Sequence, residues 1–446
     1  VIKIAAQIDD THAVFHPLLC ALSPCGEDAA RTLSLSLFLD NAVRAVAKIR
    51  RPKEYPMKTS TDRILTTHTG SLPRPKSLIA LILDREGGTI IPPAEFEAAT
   101  AKAVDDIVAR QVAAGIDVVN DGEMSKPSYT TYIRHRVSGI EMDPRAAEKG
   151  RDIMIGRDML AHPDFARVGG FGNVPFPGCV GELRYKDRSA VERDLAHLKA
   201  AAAKSKPTDV FMTAPSPGIL TRFIINLHYP NEDAYVAALA DVLKVEYRAI
   251  VEAGFVLQID APDLGSARNN QYRDLTDDEF RSRIAERNIA ALNAAIAGLP
   301  ADRIRLHICW GNYEGPHNYD LPVTKIIDIA FKAKLQAISI EAANPRHDHE
   351  WEDLKSIKIP DDKILIPGVI DSTTNFIEHP KLVAQRIGRY ADLVGRERVI
   401  AGVDCGFGTS VKNDPTVADS IVWAKLRALG EGAAIASRRL WGAKAA

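Results

Sequence analysis

Eight short runs rich in Val, Ile and Leu alternate with longer stretches of helical apolar periodicity, and this predicts an α/β chain closed into a single (β/α)8 TIM barrel. Two further observations agree. Several of the longer stretches open on helix-start residues, and no tandem repeat, low-complexity tract or linker interrupts the chain after Met57. The expected strands are 64–67, 117–120, 210–213, 256–260, 304–309, 337–341, 364–370 and 399–404, each of a length suited to a buried parallel strand. The expected helices are 93–114, 190–204, 232–253, 277–297, 324–333, 349–356, 380–393 and 416–429. Asp277 and Asp278 open one of them, and Pro380 sits in the first turn of another. Only the second βα unit is stretched: residues 121–209 include the Gly- and Pro-rich segment 169–178, which reads as an excursion over one face of the barrel.

Residues 1–56 behave differently. They hold one amphipathic stretch, 32–49, and a Pro-containing loop, 50–56, before Met57 and the first strand. They are expected to be a non-catalytic leader, poorly ordered or helical, with the catalytic barrel spanning 57–446. A transit peptide is the second reading of the leader, and Asp9, Asp10, Glu27 and Asp28 argue against it.

The chain of 446 residues is 46% hydrophobic and 26% charged, which is ordinary globular composition. Lys plus Arg is 57 against Asp plus Glu at 58, so a net charge of -1 supplies no long-range field to gather nucleic acid or an anionic membrane. No apolar run reaches the roughly 20 residues that span a bilayer. Five cysteines make an odd set without a secreted disulfide pattern, and the expected setting is reducing and cytoplasmic. The partners implied are small molecules.

In a parallel barrel the reactive groups come from the carboxyl ends of the strands. Those ends carry Gly70-Ser71, Asp121-Gly122-Glu123, Pro215-Ser216-Pro217, Asp260, His307 with Cys309, Glu341, Asp371 and Asp404-Cys405. His307, Cys309, Glu341 and Cys405 offer the imidazole, thiolate and carboxylate donors that Zn2+ takes. His307 and Cys309 stand two apart on one strand, so both side chains turn to the same face. Each alone is more often a packed core residue, and Cys20, Cys25 and Cys179 receive that structural reading. The coincidence of four donors at one rim favours a metal site.

His307-Ile308-Cys309, Ser339-Ile340-Glu341 and Val403-Asp404-Cys405-Gly406 resemble the zinc-binding segments of cobalamin-independent methionine synthase, in its C-terminal catalytic barrel. Thr67-His68-Thr69-Gly70-Ser71-Leu72-Pro73-Arg74, Asp121-Gly122-Glu123 and Gln258-Ile259-Asp260-Ala261-Pro262 resemble further loops of that family, which also includes single-barrel relatives such as epoxyalkane:coenzyme M transferase. The resemblance covers about residues 60–430 and implies a methyltransferase of methionine biosynthesis, with Zn2+ on His307, Cys309, Glu341 and Cys405. It also implies that Ser71, Glu123 and Asp260 grip the amino acid part of a thiol such as homocysteine. An ion pair or loop cap is the plainer role for Glu123 and Asp260.

Two departures qualify the resemblance. The full-length enzyme has an additional N-terminal barrel that helps hold a polyglutamylated folate, and nothing in residues 1–60 replaces it, which leaves the donor open and admits a donor-carrier protein. The family's proton-donating histidine is also absent after Asp371, where the chain reads Ser372-Thr373-Thr374-Asn375. Asp371 and His379 are the nearby candidates for the acid, with a loop cap and a helix start as their plainer roles. The loop 310–317 and the cluster Arg346-His347-Asp348-His349 follow ligand strands and are read equally as pocket walls or as solvated loops. Competing functions are an epoxide-opening thiol transferase, with Arg74, Arg134 or His135 on a sulfonate, and a non-catalytic zinc or thiol carrier.

Overall fold

All eight expected strands form, and they form the ring that the pattern requires. The computed structural model describes residues 56–168, 176–412 and 415–442, within one compact unit; residues 1–55, the stretch 32–49 among them, and most of the Gly-rich excursion lie outside the described residues. In chain order the strands are β1 (Leu65–Thr66), β2 (Val118–Val119), β3 (Val137–Met142), β4 (Pro177–Tyr185), β5 (Asp209–Pro215) and β6 (Ile225–Asn226). They continue as β7 (Val256–Asp260), β8 (Ile304–Ile308), β9 (Ala337–Ile340), β10 (Ile364–Pro367) and β11 (Ile400–Ala401).

One parallel sheet runs β2-β5-β7-β8-β9-β10, and β1 pairs with β11. Single parallel bridges, Thr67 to Val118 on one side and Leu365 to Val399 and Gly368 to Gly402 on the other, join the two pieces into a closed eight-membered ring. The alternation of each strand divides the core. Leu65, Val118, Phe211, Val256, Ala337, Ile364, Ile366 and Ile400 meet with Met57 in one cluster, contributed by seven of the ring strands. The remaining ring strand, β8, contributes Arg305, whose guanidinium lies 3.7 Å from the Phe211 ring centre. The larger apolar cluster packs the outer strand faces against the helices, as the apolar stripe of each helix demands.

The helices follow the expected stretches with local changes. Asp277–Glu279 opens on a Thr276–Glu279 capping box and passes through a π-helical segment, Phe280–Ala285, before Glu286–Ala295. The stretch 324–333 shortens to a 3-10 turn, Val323–Lys325, and Ile327–Ala330. The last helix runs longer than expected, Asp419–Trp441.

The long second unit holds structure that its sequence does not announce. β3 and β4 pair antiparallel, and β6, which follows β5, joins them in a three-stranded sheet. Short helices, Pro144–Met154 and Arg157–Ala161, lie between β3 and β4. Buried Asp158 ties this insertion down by accepting from Asn269 Nδ2 (2.6 Å), Tyr313 Oη (3.0 Å) and Tyr319 N (3.2 Å). The insertion is thereby fixed to the loops after β7 and β8, at the carboxyl end of the barrel. Among the described residues no helix is long and apolar enough to cross a membrane.

Candidate metal centre and substrate cavity

His307 is the penultimate residue of β8, and Cys309 follows directly after the strand, two positions on and so on the same face. Cys405 arrives from the loop after β11, on the far side of two intervening strands. One donor atom from each of His307, Cys309 and Cys405 lies within 4.8 Å of the others, and the two sulfurs are 3.5 Å apart. The turn that carries Cys309 is set by backbone: Ser266 N–H donates to its carbonyl at 3.1 Å, and a Cβ at Gly265 would stand 2.6 Å from that oxygen.

The imidazole of this set is unspent, while Cys309 Sγ accepts from Gly311 N at 3.3 Å. Neither His307 nitrogen has a hydrogen-bond partner, although the residue is buried. Burial and the Arg305 guanidinium pull its pKa down to about 3, so the imidazole is neutral and able to bind a metal. The Cys309 thiol is pushed well above its ordinary range by its hydrogen bond to Cys405 and by burial. Buried imidazole nitrogens without partners, facing two thiols that only a cation would ionise, fit the donor chemistry of zinc.

Glu341 follows β9 and lies beside Cys309, but its carboxylate is engaged: Oε1 accepts from Trp310 N at 2.8 Å and Oε2 from Asn344 Nδ2 at 2.9 Å. The structure therefore brings three of the four expected donors to one point and holds the fourth against the Cys309–Trp310 backbone. Asp404 fastens this corner, accepting from Ala342 N, Ala343 N and Asn344 N at 2.8 to 2.9 Å. Burial raises the Asp404 pKa to about 6.

Beside the cluster opens a cavity of about 800 Å³, lined among others by Ser71, Glu123, Asp260, His307, Cys309 and Cys405. Glu123 adopts φ 59°, a left-handed backbone that costs a non-glycine residue energy and that gathers at functional sites. Its Oε1 accepts from Thr213 Oγ1 at 2.8 Å, whereas its buried Oε2 has no hydrogen-bond partner. Arg74 comes within 3.9 Å of that oxygen but spends its N–H groups on the carbonyls of Glu123 and Gly408. Burial, then the charge of Glu123, holds the Asp260 carboxyl well above its usual range. Two carboxyl groups that repel each other in the lining of one cavity fit a cationic ligand group. Ser71 accepts from Gly408 N at 3.3 Å and closes the third side.

The remaining expected residues fall elsewhere. Asp371 accepts from Thr373 N (3.0 Å), Thr373 Oγ1 (2.8 Å), Thr374 N (2.9 Å) and Thr374 Oγ1, which is a loop cap. His379 is exposed and caps the helix Pro380–Val394 by accepting from Lys381 N at 3.1 Å. Neither is among the described residues that line the cavity. Arg134 and His135 both pair with Glu86, at 2.9 and 2.7 Å. The loop after β8 does form a wall, through Trp310, Gly311, Asn312, Tyr313 and Glu314. In the cluster 346–349, His347 is buried on Asp320 and Glu350 while His349 is exposed, so the two do not share a metal.

Sequence reasoning passed over Tyr129 and Arg222, which line the same cavity. No local signal marks them: one lies past a predicted strand end, and the other in the helix Pro217–Phe223, which was not expected.

A ring of parallel strands gathers soft and acidic donors at one mouth, the layout of a group-transfer barrel. Residues 190–420, just over half the chain, match the family described as Cobalamin-independent synthase, Catalytic domain, and the chain belongs to that family. A 2-hydroxypropyl-CoM lyase of Xanthobacter autotrophicus is 27% identical over 413 residues, covering 86% of this chain and 97% of the relative. A methionine synthase of Thermococcus kodakarensis is 23% identical over 346 residues, covering 76% and 86%. The solved B12-independent methionine synthase of Shewanella sp. W3-18-1, in complex with selenomethionine, shares the fold with a TM-score of 0.64 and 21% identity, covering 85% of this chain and 99% of that one.

Proposed function

We propose that the barrel of residues 57–446 transfers a methyl or other alkyl group to the sulfur of a small thiol, with Zn2+ held by His307, Cys309 and Cys405 and with Glu341 at its side. The observation that carries this reading is the pair of partnerless nitrogens on buried His307, facing two sulfurs 3.5 Å apart. Zinc supplies the positive charge that ionises a coordinated thiol and keeps it as the nucleophile. His307 contributes a neutral nitrogen, and the two cysteines contribute negative charge that leaves an incoming sulfur reactive.

Glu123 and Asp260 orient the acceptor through its ammonium group, and Ser71 lies at the same wall. In the transfer a sulfur–carbon bond forms as the carbon–donor bond breaks, and the bonding pair leaves with the donor. The acceptor is homocysteine on this reading, and the insertion over the barrel mouth excludes water while the sulfur is exposed. The donor enters the cavity itself or arrives on a carrier protein. A reducing, cytoplasmic setting suits two adjacent thiols that must stay unpaired to bind metal.

A second reading, thiol addition to an epoxide, is favoured by the 27% identity to the 2-hydroxypropyl-CoM lyase. The test is metal analysis followed by thiol titration. The purified chain is expected to carry about one zinc, and homocysteine is expected to release a proton on binding the zinc-loaded protein. Proton release with 2-mercaptoethanesulfonate alone would move the assignment to the second reading. Binding of thiol without turnover of any donor would leave only a carrier role, and a chain with no affinity for zinc would remove both enzyme readings.

A further inference from the structure

Every buried arginine near the site is spent on protein groups except one. Arg74 serves two carbonyls, and Arg305 donates to Gln258 Oε1, Thr67 Oγ1 and the His68 carbonyl across the barrel. Arg134, also in the cavity wall, is neutralised by Glu86. Arg222 differs. It is 9% exposed and lines the cavity, yet its one hydrogen bond goes to a hydroxyl, Ser266 Oγ at 3.0 Å. Its Nε has no hydrogen-bond partner, its guanidinium carbon lies 5.5 Å from the Phe223 ring centre, and no carboxylate among the described residues pairs with it. A buried guanidinium left unpaired costs stability that a fold does not retain without use.

Its surroundings show what would complete it. Arg222 lines the cavity together with Tyr129, Tyr313 and Cys309, all neutral groups, and with the Glu123 and Asp260 carboxyls. The cavity thus carries a partnerless carboxylate oxygen, Glu123 Oε2, and a guanidinium without a carboxylate partner, both in the wall that also holds the sulfur cluster. Burial also lowers the Arg222 pKa, as expected of a cation without a counter-charge. A planar fork of N–H donors in a partly dry cavity binds oxyanions by charge-assisted hydrogen bonds.

We propose that Arg222 is the anion-binding residue of this cavity, holding a carboxylate, sulfonate or phosphate group of a substrate whose reacting atom lies at the His307–Cys309–Cys405 cluster. The inference rests on the thiol-alkylation reading only for the identity of that reacting atom. The oxyanion belongs either to the acceptor thiol or to the alkyl donor, and both present the same chemistry to the guanidinium.

The test uses the full chain and thiol-free probes, so that its failure is separable from failure of the alkylation reading, which zinc content and thiol-dependent proton release decide. Calorimetric titration with ethanesulfonate, butyrate and ethyl phosphate is expected to show binding that weakens about 10- to 100-fold in Arg222→Gln and is partly kept in Arg222→Lys. 1-Propanol, the uncharged control, should bind both proteins equally. The thermal midpoint of Arg222→Gln should equal or exceed that of the wild type, because an unpaired buried charge has been removed. Prior saturation with homocysteine assigns the source: competition with the anion probe places the oxyanion on the acceptor, and joint binding places it on the donor. Equal affinity of the anions for wild type and Arg222→Gln, or no binding to either, overturns the proposal. So does a lowered midpoint with anion binding unchanged, which would make Arg222 a structural residue.

Discussion

Two buried histidines near the carboxyl end of the barrel, His307 and His347, behave in opposite ways. His307 has no partner on either nitrogen. His347, tilted against the Trp310 ring with centres 4.6 Å apart, has both nitrogens engaged, Nδ1 with Glu350 at 2.8 Å and Nε2 with Asp320 at 3.2 Å. Burial and Arg305 take the first down to about 3. Burial acts the same way on the second, but the hydrogen bonds to Asp320 and Glu350 override it and raise the pKa to about 10. The contrast separates a cluster that is complete in itself from one that still has bonds to make. In a folded chain buried polar atoms are paired, so the unpaired set marks where a ligand belongs.

The largest effect should come from removing sulfur from the incomplete cluster. Cys309→Ser and Cys405→Ser are each expected to weaken zinc binding by more than the roughly 10- to 100-fold lost when an outer partner of a metal ligand is changed, and to abolish alkyl transfer. Competition with a chromophoric chelator measures the affinity. Cys179→Ser, in β4 and outside the cluster, should leave zinc content unchanged. Retention of full zinc affinity in both site variants would place the metal elsewhere.

At the acceptor wall, Glu123→Gln replaces a buried carboxyl group whose Oε2 has no hydrogen-bond partner. Hydrogen bonds to charged groups are worth about 1.5–3 kcal/mol, so KM for an amino-bearing thiol should rise about 10- to 100-fold while thiols without an ammonium group are little affected. An equal loss for both kinds of thiol would show that Glu123 shapes the loop instead of reading the cation.

The complete cluster should act on stability and not on chemistry. The folded pKa of His347 lies above its unfolded value, so its contribution is fully present below about 6.5 and is lost as pH rises through about 10. The unfolding free energy of the wild type, from urea titrations, should therefore fall between those limits by an amount on the order of a few kcal/mol. His347→Gln should be less stable at pH 6 and show a flatter profile over that window. A variant whose profile parallels the wild type would mean that other groups carry the pH dependence.

The barrel was legible because its strands are short Val- and Ile-rich runs, and burial on both faces leaves a parallel strand little other choice. The cluster was legible for a related reason: strand order fixes which ends are neighbours, so the chemistry of three separated residues could be read at one rim. β3 and β4 were not, since Val137–Met142 and Pro177–Tyr185 mix glycine, charge and apolar residues without a clean alternation. Nor was the state of Glu341, whose distance from the three converging donors is set by Asn344 and the Trp310 backbone. Arg222 is the clearest case. An arginine's sequence neighbours say nothing of whether a carboxylate meets it in space, and that missing partner is the whole of its signal.

The smallest effects test Asp371 and His379, the two residues considered as acids. A general acid contributes about 10²- to 10⁴-fold to rate, whereas a helix cap contributes about 0.5–2 kcal/mol to stability and nothing to chemistry. Asp371 is held by four bonds from Thr373 and Thr374, and His379 Nδ1 is occupied by Lys381 N. His379→Ala is thus expected to lower the thermal midpoint slightly and leave kcat within about two-fold, far inside the range that loss of an acid would give. Asp371→Asn should cost somewhat more stability, because it replaces an acceptor for two backbone N–H groups and two hydroxyls. A kcat loss of about 100-fold in either variant, with an unchanged midpoint, would return that residue to the reaction.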